Sequence, residues 1–99
     1  MSAVTIMALL KAKSGKEDEL RSSLKKVAAP SRAEAGNVEY IVHESHDLPG
    51  QFAFYETWKD EAAVQDHLQS VHYQAYRKTI EPLLESRTIH RLRKLDLQG

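Results

Sequence analysis

The chain contains no cysteine, which excludes disulfides, thiolate nucleophiles and cysteine-ligated zinc or iron–sulfur centres together. It lacks an excess of charge as well: fourteen basic residues balance fourteen acidic ones, so no global field draws in nucleic acid or an anionic membrane. Long apolar runs are also missing. The run that ends at Leu10 is too short to span a bilayer and follows no basic residue, so no signal peptide or anchor is expected and the cytoplasm is the default location. Glycine is scarce, and after Gly50 none occurs before Gly99. What is left to carry chemistry is histidine, carboxylates, tyrosine, tryptophan, arginine or a borrowed cofactor.

At 99 residues the chain is short for more than one domain, and a lone domain of that size buries only about two-thirds of its unfolded surface. A single domain over 1–99 is expected, with stability that gains from association.

Val4, Ile6, Ala8, Leu10 and Ala12 alternate with Thr5, Met7, Leu9 and Lys11, which predicts a strand over 4–12. Ser14 and Glu17 then have capping-box spacing, each side chain positioned to satisfy an orphan amide at a helix start. Leu20, Leu24, Val27 and Ser31 recur at helical spacing, so a helix is predicted over about 16–33. Pro30 should kink it or restart a turn, and Gly36 should close it in the left-handed conformation. Val38, Tyr40 and Val42 alternate with Glu39, Ile41 and His43, and a turn at His46–Gly50 leads into Phe52–Trp58, which reads as a hairpin. Asp60 suits the cap of a second helix with the stripe Ala63, Val64, His67 and Leu68. Ser70 suits the cap of a following segment that carries Val71, Tyr73, Tyr76 and Ile80. Pro82 ends that segment, and Thr88–Leu95 is the last predicted strand.

The order strand, helix, strand, strand, helix, strand predicts an α+β fold of ferredoxin-like βαββαβ type: a four-stranded antiparallel sheet with the helices on one face. A sheet with one wet face shows clean alternation, yet here both parities are apolar, Val4 and Ile6 against Met7 and Leu9. Helices cover one face only. The expected cover for the other is a second copy, a homodimer with two sheets face to face around an enclosed space.

Glu56 shares a strand face with Phe52, Phe54 and Trp58, so covering that face removes a carboxylate from water and raises its pKa toward that of a proton carrier. The alternative is an ion pair with an arginine of the last strand or the orienting of a neighbouring hydroxyl. His67 falls on the apolar stripe of the second helix, and His72 follows just past a break; either can act as a general base near neutral pH or serve as a packed, hydrogen-bonded ring. Metal binding by this pair is not expected on a continuous helix, where five residues turn the chain by about 500° and separate the rings, and the loop after Gln69 is what leaves it open. His43 and His46 point to opposite sides of a strand. Tyr40, Tyr55, Trp58, Tyr73 and Tyr76 read as packing residues, one or two of them free to stack on a flat ligand. Arg87, Arg91, Arg93 and Lys94 read as a solvated edge that blocks edge-to-edge pairing.

The string Gly15–Leu20, Glu34-Ala35-Gly36, Tyr40, Phe54–Trp58, Ala63, His67-Leu68 and His72-Tyr73 resembles the antibiotic biosynthesis monooxygenase family, small proteins of the dimeric α+β barrel type. The resemblance implies an oxygenase that needs no cofactor or metal and acts with dioxygen on a quinol-like or polyphenolic aromatic. It implies proton transfer by His67 or His72, orientation or relay by Glu56, and substrate contacts from Trp58, Tyr40 and Tyr73. Haem-degrading members of the fold use an asparagine on the first strand, and none stands between Val4 and Lys13. Two alternatives follow from the same resemblance and fold: an isomerase of a small phosphorylated sugar-like molecule, and a ligand-binding dimer without catalysis.

Overall fold

The structure, a computed structural model, describes residues 2–98. β1 (Val4–Ala12), apolar on both parities, lies inside the sheet, where it pairs on both edges. Its neighbours are β3 (Gln51–Trp58) and β4 (Leu84–Leu92), and β2 (Asn37–Glu44) pairs with β3 beyond, so the order is β2-β3-β1-β4 with every pair antiparallel. The helices are α1 (Glu17–Arg32), α2 (Glu61–Gln69) and α3 (Val71–Ile80), with a 3-10 turn at Glu81–Leu83 before β4. This is the ferredoxin-like βαββαβ fold with its second helix broken in two.

One face of the sheet packs on the helices. Ile6, Ala8, Leu10, Phe52, Phe54 and Trp58 form a core with Leu20, Leu24 and Val27 of α1, Val64 of α2 and Ile80 of α3. Each fully buried side chain of this kind contributes about 1.5–3 kcal/mol. The register sets three rows across that face: Tyr40, Glu56, Ile6 and Arg91; Val42, Phe54, Ala8 and Ile89; Glu44, Phe52, Leu10 and Arg87. Every residue of β4 after Leu84 is exposed, so the helical roof stops short of that edge strand.

Three local expectations need correction. Ser14 and Glu17 make no capping box: Lys16 is the N-cap and no side chain caps the helix. The first turn is supported instead by Glu17, Asp18 and Glu19 beside the positive end of the helix dipole. Gly36 is not left-handed; only Gly15 and Gly50 have positive φ among the described residues. Its requirement is space, since a Cβ there would sit 2.3 Å from the Cβ of Ala63. β4 spans Leu84–Leu92 rather than Thr88–Leu95, because β1 supplies no partner beyond Thr5, which pairs with Leu92.

The second face carries Thr5, Met7 and Leu9 of β1, with Ile41, Ala53, Tyr55, Thr57, Thr88, His90 and Leu92 beside them in register. Thr5 and Thr57 join their hydroxyls across the strands at 3.1 Å. Leu9, Ile41 and Leu92 remain 43%, 38% and 42% exposed. The space that holds Glu56 lies on the opposite, helical side of the sheet, not between this face and a second copy of it.

Candidate active site

Short-range chemistry aims the histidines. Asp60 caps α2 by accepting the Ala63 N–H at 2.8 Å, and this turns His67 inward, where it is 1% exposed. Ser70, extended at φ −66° and ψ 151°, then breaks the helix. Its hydroxyl donates to the His67 carbonyl at 2.7 Å and accepts the Tyr73 N–H at 3.2 Å, so one serine ends α2 and starts α3. The break brings His72 back beside His67, with ring centroids 6.0 Å apart.

Both rings meet one carboxylate oxygen. Glu34 Oε2 lies 2.7 Å from His67 Nδ1 and 2.7 Å from His72 Nε2. A carboxylate oxygen accepts, so each of these nitrogens carries a proton and donates. Burial lowers the pKa of His67, against the hydrogen bond and charge of Glu34, which raise it. The ring is therefore neutral at pH 7 with its lone pair on Nε2, and its one ring hydrogen bond among the described residues is that from Nδ1 to Glu34.

Trp58 fixes the other side of the site. Its indole stacks on His67 at 4.5 Å and 29°, and its Nε1 donates to Glu56 Oε1 at 2.8 Å. Glu56 is 7% exposed, and burial pushes its pKa up to about 7, opposed by the Trp58 hydrogen bond and assisted by the charge of Glu34. Across the strand pair, the Tyr40 phenol is pushed well above its ordinary range by burial first and then by Glu56, so it remains a protonated donor.

Between these groups and the helices lies a cavity of about 180 Å³, somewhat larger than the roughly 150 Å³ hole that accommodates benzene. Ile6, Ala8, Leu10, Phe54, Val64 and Leu68 supply apolar wall, and Tyr40, Glu56, His67, Tyr73 and Tyr76 supply polar groups. Arg87, Ile89 and Arg91 complete it from β4. With β4 exposed, the cavity is open toward that edge.

The family profile described as antibiotic biosynthesis monooxygenase matches residues 3–79. The chain belongs to this family. YcnE of Bacillus subtilis, named as a candidate monooxygenase, is 34% identical over 73 residues, which is 74% of this chain and 77% of YcnE. The solved structure of PA3566 from Pseudomonas aeruginosa superposes with a TM-score of 0.92 at 31% identity, over 97% of each chain. Rv0793 from Mycobacterium tuberculosis does so at 0.91 and 29% identity, over 99% of this chain and 100% of its own. Membership and these relatives support a monooxygenase-like function. No helix among the described residues is long and apolar enough to cross a membrane.

In this monooxygenase-family chain, Glu56, His67, Tyr40 and Tyr73 border the cavity. His72 does not: it lines a separate surface depression with Ser23, Val27 and Thr79 and meets the site through Glu34 and beside the His67 ring. Trp58 is 0% exposed, so its ring is spent on His67 and has no face left for a ligand. Glu56 bonds Trp58 rather than an arginine of the last strand. Arg87 and Arg91, read as solvated edge, occupy the helical side of β4 and line the cavity.

The residue that sequence reasoning missed is Glu34. A signal was present: a lone carboxylate just past the end of α1, where the helix dipole is negative and disfavours an anion unless donors compensate. The three ligand atoms of Glu34, His67 and His72 lie within 4.8 Å of one another, the donor set of a His₂–carboxylate metal centre. The expectation that the rings are dispersed fails because Ser70 interrupts the helix. Zinc at about 2.0–2.2 Å from each ligand needs both donated protons removed and the ligands spread to about 3.3 Å, wider than the 2.7 Å hydrogen bonds.

Proposed function

We propose that the chain is a cofactor-independent monooxygenase of a small quinol-like aromatic, with the cavity between sheet and helices as its active site. The observation that carries this reading is the Glu34–His67 pair, which leaves an unpartnered basic nitrogen on a ring that borders an aromatic-lined cavity. His67 Nε2 takes a phenol proton from the quinol, and Glu34 holds the resulting imidazolium as an orienting carboxylate does in other His-based acid–base pairs. The phenolate passes an electron to dioxygen, and recombination forms a C–O bond at an adjacent ring carbon. The peroxide anion takes the phenol proton back from His67, and as the O–O bond breaks the ring carbon's proton passes to His67 while the outer oxygen leaves as water with a proton from Glu56, which the His67 proton then restores. The sum is quinol plus dioxygen to hydroxyquinone plus water, with every electron supplied by the substrate. The Tyr40 hydroxyl donates to the oxyanion that develops, and a mostly apolar wall limits water.

The open sheet face, with Leu9, Ile41 and Leu92 in water, is proposed to pair with a second copy of the chain. The alternative dimer without catalysis is distinguished by turnover. With methylhydroquinone as substrate, the wild type is expected to consume oxygen stoichiometrically, and His67→Ala to slow turnover by roughly 10²- to 10⁴-fold. Oxygen uptake unchanged in His67→Ala, or absent in the wild type, would sink the reading.

A further inference from the structure

We infer that the cavity takes an aromatic ligand bearing an acidic substituent, and that Arg87 is the residue that holds it. The inference deepens the oxygenase reading and rests on it for the hydroxyl that faces His67.

Two of the arginines near the cavity are already neutralised. Arg91 is paired with Glu61, and Arg77 with Glu81 at 3.5 Å. Arg87 forms no ion pair among the described residues; its Nη2 donates to the neutral hydroxyl of Tyr73 at 3.3 Å. The carboxylates inside are engaged elsewhere, Glu56 by Trp58 and Glu34 by both histidines. A guanidinium with five donors and no anion thus borders a largely apolar space. Its charge reaches the buried Tyr76 phenol, where it opposes the upward push of burial.

Tyr73 sets the scale. Its ring centroid lies 4.9 Å from that of His67, and its hydroxyl meets Arg87. A ligand lying alongside Tyr73 with its hydroxyl toward His67 therefore brings the far side of the same ring to Arg87. The size is that of a hydroxybenzoate, and a carboxylate there accepts two parallel hydrogen bonds from the guanidinium. Arg87 is exposed, so the attraction is moderate and weakened by salt.

The test compares 3-hydroxybenzoate with 3-methylphenol, neither of them a quinol, by calorimetry or ligand-observed NMR. The wild type is expected to prefer the acid by roughly five- to tenfold at low ionic strength, with the preference shrinking in high salt. Arg87→Gln should bring the ratio to about one, and Arg87→Lys should keep part of it. No preference in the wild type would overturn the inference, as would a preference that survives Arg87→Gln and disappears in Arg91→Gln. Oxygen uptake separates this from the reading it rests on. Acid preference without oxidation of 2,5-dihydroxybenzoate or methylhydroquinone removes the oxygenase and leaves the anion site standing. Oxidation of both quinols with no preference for the acid removes the anion site and leaves the oxygenase standing.

Discussion

Glu56 and Tyr55 are neighbours in β3 and occupy opposite faces of the sheet. Glu56 lies under the helices, 7% exposed, with its pKa pushed up to about 7 by the loss of water. Tyr55 lies on the open face beside Met7 and Ile41. The helical face has a carboxylate and an imidazole where burial favours hydrocarbon, and the open face has leucine and isoleucine where exposure favours polar groups. Each mismatch has a physical cost, and the two costs differ in kind. A desolvated acid stores proton-transfer capacity, whereas exposed apolar area is a reason to associate. Parity along one strand thus separates the proposed chemistry from the proposed assembly.

The sharpest way to break that contrast is to replace one residue on each face. Trp58→Ala removes the stacked partner of His67 and the hydrogen-bond donor of Glu56, and is expected to cost about 3–5 kcal/mol in urea denaturation. Leu9→Lys on the open face should cost far less within one copy of the chain, yet convert the sedimenting species from dimer to monomer. A wild type that sediments as a monomer at micromolar concentration would leave the open face without its proposed partner.

Glu56→Gln gives a smaller effect with a definite sign. The folded pKa of Glu56 is raised from 4.5 to about 7, so the folded state holds the extra proton between those values. Its contribution to stability is complete below about pH 4.5 and is lost as pH rises through about 7. Glutamine keeps an acceptor for Trp58 and has no charge to desolvate. The variant is therefore expected to exceed the wild type in stability near pH 8 by about 1–3 kcal/mol, to lose that advantage near pH 4, and to turn over quinol more slowly at both. An advantage independent of pH would show that Glu56 is not the titrating group.

Much of the architecture was legible because its causes are local. The alternation of β1, the Asp60 cap and the Ser70 cap depend on residues within a few positions of one another, and each stands where it was expected. The site was legible only in part. His67 was marked by its place on an apolar stripe and Glu56 by its aromatic neighbours, but Glu34 reaches His67 across 33 positions of sequence, beyond any local pattern. Arg87 and Arg91 are exposed on an edge strand as expected, but their place on the cavity wall was missed for a related reason. Which parity of an edge strand faces the core depends on its pairing with β1, and the expected strand began four residues too late. Gly36 shows the same limit: the sequence signals a helix end, while the demand comes from Ala63 on another helix.

The proposed chemistry depends on the protonation of one ring. Two-dimensional ¹H–¹⁵N NMR of the His67 imidazole at neutral pH reads it directly, since protonated and lone-pair nitrogens have widely separated ¹⁵N shifts. The result expected is a protonated Nδ1 donating to Glu34 and a bare Nε2 that moves when a phenol binds. A proton on Nε2, with Nδ1 bare, would contradict the assignment of His67 as the base in the cavity.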